Sequence, residues 1–188
     1  MKSIKAIMAT CLAVVVLSIG ALSLTGCGPS AEDVVRQGVA DELERLKTHD
    51  AALLDELAAG SGADQLAVYG IDSQTFIAGY LDGFDYRIDE VTIEGDKATA
   101  TVVLTSKKLD VFTQALTEAT TTLAADESVA ALGTEELNEK VGQVVLEVLA
   151  KVEPTESAPI ELPFERKDST WSPSSGAEQV LSSALFAS

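Results

Sequence analysis

The sequence predicts an α+β domain in which helices precede an antiparallel sheet and a further helical segment is inserted between strands. Three observations predict it. Apolar residues recur at three- and four-residue steps before position 84. Two β-rich runs then flank a turn at Glu94–Lys97, and helical spacing returns between Val111 and Val152 before alternation resumes at Ile160.

The first helix is predicted to begin near Ala31, because Ser30-Ala31-Glu32-Asp33 has the spacing of a capping box. Its apolar residues continue to Leu57, past a softer patch at Thr48-His49-Asp50, which leaves open one long helix or two short ones. Gly60-Ser61-Gly62 ends this element. A helical turn over 64–69 and a helix capped by Ser73 follow, the latter carrying Phe76, Ile77, Tyr80, Leu81 and Phe84.

Residues 86–106 predict a β-hairpin whose Glu94-Gly95-Asp96-Lys97 turn suits type II′, with Gly at the first central position. Pairing Glu94 with Lys97 sets Ile93 opposite Ala98 and Val91 opposite Ala100 on one face, and Thr92 opposite Thr99 on the other. Tyr86 and Ile88 fall out of phase with Val91 and Ile93, which predicts a bulge near Asp89-Glu90.

Two helices are predicted next, one with a stripe through Phe112 and Leu123, the other between a Thr134 cap and a stop at Pro154. The second is rich in valine, which is unfavourable in an isolated helix, so we expect its helicity to depend on burial against the sheet. A strand through Ile160, Leu162 and Phe164 contains Pro163, which predicts an edge or bulged position. A short helix within 174–186 closes the chain.

The N-terminus is built like an export signal, with Lys2 and Lys5 before an apolar run to Leu24 and small residues after it. The alternative is a retained membrane anchor. Leu24-Thr25-Gly26-Cys27 resembles the lipobox of bacterial lipoproteins, which implies a diacylglyceryl group on the Cys27 sulfur and removal of residues 1–26. Two acyl chains hold a protein stably on a membrane. This predicts a signal at 1–26, a lipid anchor and tether at 27–30, and one domain over 31–188.

Composition limits the partners. The chain has 188 residues, with 13 basic and 30 acidic, and loss of two lysines with residues 1–26 takes the formal charge from −17 to −19. Such a surface repels nucleic acid and anionic headgroups, so no nucleic-acid partner is expected. Cys11 leaves with the signal and Cys27 carries lipid, so no intrachain disulfide remains. His49 is the single histidine and is expected to face solvent on a helix.

The sequence lacks the motifs that are typical of catalytic, phosphate-binding and calcium-binding sites. The sequence has no phosphate-binding glycine loop, nucleophile elbow or Ser-x-x-Lys motif, and the Asp82, Asp85, Asp89 and Glu90 cluster lacks calcium-loop spacing. We therefore expect no catalytic residues, no metal and no cofactor. Tyr80, Phe84, Tyr86 and Trp171 are candidates to line a pocket, although core packing is the simpler role for aromatic residues at these positions.

Taken together, the lipobox, the N-terminal helices, the Tyr86–Thr99 hairpin segment and the Ile160–Trp171 strand resemble small bacterial lipoproteins with an uncharacterised domain. That group is similar to the nuclear transport factor 2-like, or cystatin-like, superfamily. The resemblance implies that helices pack on a curved sheet, forming a cone with an apolar mouth. The insertion between Val111 and Val152 and the prolines Pro163 and Pro173 depart from that pattern and leave strand order open.

The function expected from these features is a non-catalytic binding or interaction module, held by Cys27 on the extracytoplasmic face of the cell membrane. Its partners would be membrane lipid through the covalent anchor and an envelope protein or small ligand. The alternative is an extracytoplasmic enzyme or small-ligand carrier that uses an apolar cone pocket.

Overall fold

A computed structural model describes residues 29–61 and 63–186. Over these residues six α-helices and a five-stranded antiparallel sheet confirm the α+β class. The helices are α1 Ala31–Lys47, α2 Ala51–Ser61, α3 Ser73–Leu81, α4 Leu109–Ala124, α5 Thr134–Lys151 and α6 Ala177–Phe186, with short 3₁₀ helices at Ala63–Tyr69 and Val129–Ala131. The strands are β1 Asp85–Glu94, β2 Lys97–Ser106, β3 Thr155–Glu156, β4 Ile160–Lys167 and β5 Thr170–Pro173.

The start of α1 forms the predicted capping box. The Ser30 hydroxyl accepts from the Asp33 N–H at 3.1 Å, and the Asp33 carboxylate accepts from the Ser30 N–H at 3.0 Å. The N-terminal helical region is two helices, because His49 takes a left-handed conformation with φ 54° and breaks the run between them. The expectation of a helical His49 was therefore wrong, and the residue lies half-buried in the connection.

Two predicted helix caps were wrong by one residue. Asp72, not Ser73, caps α3, since its carboxylate accepts from the Thr75 N–H at 2.8 Å. Gly133, not Thr134, is the N-cap of α5, and the Glu136 carboxylate accepts from the Gly133 N–H at 3.1 Å. In both cases the residue after the N-cap carries a hydroxyl group that is itself common at N-caps. The sequence pattern therefore does not distinguish between two neighbouring N-cap candidates.

The hairpin register is confirmed in detail. Glu94 pairs with Lys97, Thr92 with Thr99 and Val91 with Ala100, and the register shifts between Ile88 and Glu90 as the phase change predicted. Gly95 has φ 65°, the conformation that a tight turn requires at this position. The strand order is β1-β2-β4-β5, with β3 paired to the end of β2 beyond β4.

Pro163 occupies a local edge of β4. It pairs with Thr99 on the β2 side, while β5 pairs only with residues 164–167. The Pro163 carbonyl accepts from the Ser174 N–H at 2.9 Å, where β5 ends, so its missing N–H faces the side on which the ladder stops. The strand as a whole is internal, and only its first half is an edge.

The helices form two layers over one face of the sheet. The inner layer, from α1, α2, α3 and α6, shares a buried cluster with the alternate residues of β2 and β4, including Ala100, Val102, Leu104, Leu162 and Phe164. The outer layer is the α4–α5 hairpin. Its cluster contains Ile71, Tyr80, Phe112, Val145, Val148, Leu149 and Val152, and none of these described buried members lies on a strand.

The expectation that α5 packs against the sheet was therefore wrong. Helix α5 packs instead on α3, α4 and the Ala63–Tyr69 segment. A Cβ at Gly142 would lie 2.0 Å from the Tyr69 carbonyl oxygen, so the missing side chain is what lets this backbone cross the helix.

A buried lysine connects the layers. Lys107 follows β2 directly and is 2% exposed. Its ammonium donates to the Gly79 carbonyl of α3 at 2.9 Å and to the Leu149 carbonyl of α5 at 3.0 Å, and lies 3.7 Å from an Asp82 carboxylate oxygen. Both carbonyls belong to the last turns of their helices, where backbone oxygens lack intrahelical donors and the helix dipole is negative.

We predict that Lys107→Met lowers the free energy of unfolding by about 3 kcal/mol, since it strips two buried carbonyls of their donor and leaves the helix ends without a cation. Lys108→Met, at the adjacent and less buried lysine, is the matched control. Urea unfolding of residues 28–188 measures both. Equal, small losses for the two variants would contradict a structural role for Lys107.

Candidate functional site

Cys27 lies outside the described residues. The described residues begin at Pro29, and Ser30, three residues after the cysteine, is the N-cap of α1. Within the described part of the chain, no helix is long and apolar enough to cross a membrane.

Three of the four candidate pocket aromatics share the inner cluster, and the fourth belongs to the outer one. Phe84 and Trp171 are buried members of the inner cluster, and Tyr86 packs against it half-buried. Tyr80 belongs to the outer cluster on the other side of α3. Tyr80, Tyr86 and Trp171 each contact a group on another helix or strand.

Tyr80 joins α3 to the C-terminal helix. Its hydroxyl donates to the Leu185 carbonyl at 2.8 Å, and its ring stacks on Phe186 with centroids 5.5 Å apart. Burial, with a smaller contribution from the Asp110 carboxylate, raises the pKa of Tyr80 to about 12. The phenol is therefore a fixed neutral donor.

Tyr86 and Trp171 lie on the two outer strands of the sheet, β1 and β5. The Tyr86 hydroxyl lies 3.1 Å from the Ala40 carbonyl and 3.2 Å from a Glu44 carboxylate oxygen, and burial followed by the Glu44 hydrogen bond raises its pKa. Trp171 is covered by the Arg166 guanidinium, 5.4 Å from its ring centroid. Arg166 in turn donates to the Asp96 carboxylate in the hairpin turn.

Three of the four residues of the acidic cluster after α3 form ion pairs, and Glu90 is the exception within the described residues. Asp85 accepts from Lys47 at 2.9 Å and Asp89 from Arg87 at 2.6 Å, while Asp82 faces Lys107. Within 29–61 and 63–186, no group of three His, Cys, Asp or Glu side chains is placed to hold a metal ion.

A surface groove that the sequence reasoning missed lies between β4 and α6. It measures about 610 Å³, opens widely to solvent and is lined by Ile160, Gly176, Gln179, Val180, Ser183 and Ala184. The groove lies beside the half of β4 that β5 does not reach. Pro163 was the one sequence signal, because it predicted that this stretch lacks a second partner strand.

The opposite face of the sheet forms a second surface. Residues that alternate with the core positions face away from the helices, and those of β2 are Lys97, Thr99, Thr101, Val103 and Thr105, of which Val103 is buried. No described residue of this face belongs to either buried cluster. Threonines at these positions in the sequence already indicated a polar face.

Together these features define an α+β domain with an antiparallel sheet that is helix-covered on one face and open on the other. No family model matches the sequence, and no curated protein matches it. The solved structure of the "putative lipoprotein (ycdA)" from Bacillus subtilis shares the fold, with a TM-score of 0.50, 14% identity and 74% of this chain covered. The match spans 47% of the length of that protein, and at this identity the likeness extends to the fold.

We predict that Tyr80→Phe lowers the free energy of unfolding at neutral pH by about 1 kcal/mol, because the Leu185 carbonyl loses its donor. The wild type should also lose stability above about pH 10, where an unfolded tyrosine loses its proton, up to about pH 12, where Tyr80 ionises in the folded protein. Tyr80→Phe removes that part of the alkaline loss. Urea unfolding at several alkaline pH values tests this, with Tyr69→Phe as the control; an unchanged slope in Tyr80→Phe would contradict it.

Proposed function

We propose that this chain is a lipid-anchored extracytoplasmic interaction module without catalytic activity. The observation that carries the proposal is the distance between anchor and fold: the lipobox cysteine precedes the α1 N-cap by three residues. A lipid on Cys27 would hold the domain against the outer face of the cell membrane. The fold that the chain shares with a Bacillus subtilis protein described as a "putative lipoprotein" supports this placement.

The interaction role is supported by how the aromatic residues are used. Phe84 and Trp171 fill the interior between sheet and inner helices, and the Tyr80 hydroxyl is committed to a backbone carbonyl. Side chains that could line a deep pocket therefore serve packing, and recognition is left to the surface. We also propose that the domain is a divergent relative of the nuclear transport factor 2-like superfamily, for which helices preceding and covering one face of an antiparallel sheet are the support.

We predict that Cys27→Ala abolishes lipid attachment, since the sulfur is the acceptor of the diacylglyceryl group. Intact-protein mass spectrometry of membranes should show a wild-type chain that begins at Cys27 and carries lipid mass, and an unlipidated precursor for Cys27→Ala. Cys11→Ala is the matched control, because Cys11 lies within the removed segment. Mature masses of wild type and Cys27→Ala that differ only by the sulfur atom lost in the substitution, or unaltered processing under globomycin, would overturn the anchor.

A second candidate function is carriage of a small apolar ligand, which the β4–α6 groove favours through Ile160, Val180 and Ala184. An apolar ligand at a hundred times its dissociation constant adds about 2.7 kcal/mol, which raises the midpoint of a domain this size by about 5 to 11 °C. A thermal-shift panel of fatty acids and apolar envelope metabolites should then show such a rise in wild type. Ala184→Trp should abolish it while Ala150→Trp, exposed on α5, should not. A panel without any shift would reject this candidate.

A further inference from the structure

The open face of the sheet has an uncharged centre. Thr99 and Thr101 follow one another on β2 at alternate positions, with Thr92 of β1 and Pro163 of β4 on either side of Thr99; Val103, the next residue in this row, is buried at 5% exposure. The two central threonines are half-buried by their neighbours, and Thr92 is exposed. This gives a flat patch of short β-branched side chains in the middle of the sheet.

Carboxylates flank this centre. The register sets Glu90 and Glu161 on either side of Thr101, so their Cα atoms lie about 10 Å apart, two strand spacings. Both side chains are exposed, and neither has a hydrogen bond or ion pair within the described residues. Glu94, Glu156 and Glu165 share the same face by register.

The cations on this face do not neutralise that pair. Arg87 is engaged by Asp89 at 2.6 Å and lies 3.7 Å from Glu156, and Lys167 lies 3.9 Å from Glu165. The only remaining cation that the register places on this described face is Lys97, between Glu94 and Glu165. Glu90 and Glu161 thus have no cation partner within the described residues and are accessible to an external partner.

This arrangement fits a basic protein surface better than a second copy of the chain. Protein interfaces have a core depleted of charge inside a polar rim, and complementary charge on the rim steers and orients the partner. A two-fold contact between copies would press the same acidic face against itself, which is repulsive. Anionic lipids and nucleic acids are repelled by the same carboxylates.

The proposed anchor would keep this face close to the membrane. Lys47 at the end of α1 contacts Asp85 at the start of β1, and Arg36 donates to the Ile88 carbonyl, so α1 runs antiparallel to β1. The start of α1 therefore lies at the same end as the hairpin turn Glu94–Lys97. Three residues from Cys27 to Ser30 span at most about 10 Å, so a lipid on Cys27 would hold that end of the domain near the membrane, within reach of neighbouring envelope proteins.

We propose that this open sheet face docks a cationic surface of a neighbouring envelope protein, with Thr99, Thr101 and Thr92 at the centre of contact and Glu90 and Glu161 as the charged rim. The inference rests on the proposed function, because it requires the domain to be displayed on the membrane. It assigns a specific surface to that function.

The test is photocrosslinking in the native cells with the full chain. A benzophenone amino acid replaces Thr92 on the open face, or Glu139 on the exposed side of α5 as a control position. The Thr92 probe is then combined with Glu90→Lys/Glu161→Lys, or with Glu139→Lys/Glu147→Lys, which makes the same charge change on the outer helix. Circular dichroism and membrane fractionation confirm that each variant folds and remains anchored.

We expect a Thr92 adduct to a protein whose crosslinked peptide is net basic, absent from the Glu139 probe. The Glu90→Lys/Glu161→Lys reversal should reduce its yield about tenfold or more, and the α5 reversal should not. An adduct to a second copy, an adduct to an acidic peptide, or a yield insensitive to reversal would overturn the proposal. Anchored protein without any Thr92 adduct overturns this inference alone, whereas protein absent from the membrane fraction overturns the proposed function with it.

Discussion

The contact on which the three layers depend is the Lys107 ammonium between the carboxyl-terminal turns of α3 and α5. A buried cation is costly unless its donors are met, and here two backbone carbonyls within 3.0 Å and the Asp82 carboxylate meet them. The two helix ends carry like partial charges and would otherwise repel one another. Because Lys107 immediately follows β2, this one side chain ties the end of the central strand to both helical layers.

The middle position of α3 follows from that arrangement. The helix buries Ile77 and Leu81 in the inner cluster and Tyr80 in the outer one, so it is apolar on two sides, as a helix between layers must be. Gly79 has no side chain where the Leu149 side chain approaches, and a Cβ there would lie 3.2 Å from it. Close approach brings the Gly79 and Leu149 carbonyls near enough for one ammonium to reach both.

Sequence reasoning succeeded where local pattern alone decides the structure. Strand alternation around Gly95 determined the hairpin register, and the phase change located the bulge at Asp89, since one residue of slip reverses every side chain. Prediction from the sequence failed where a segment packs against a part of the fold that is distant along the chain. The valines of α5 show which residues are apolar but not whether a sheet or a helix covers them, and a lysine after a strand gives no sign of burial. The open sheet face was visible in the threonines of β2, but its unpaired carboxylates appear only when β4 is placed beside β2.

The two faces of the sheet differ in polarity, because successive residues of each strand alternate between the covered face and the open face. On the covered side, β2 carries the small residues Ala98 and Ala100, and both are almost fully buried. On the open side the same strand carries threonines, whose branched side chains favour extended backbone and tolerate water. An exposed edge strand invites unwanted pairing, and β1 resists it through its bulge and the charges of Arg87, Asp89 and Glu90. Recognition at the edge is thereby discouraged, and the face is left as the part of the sheet available to a partner.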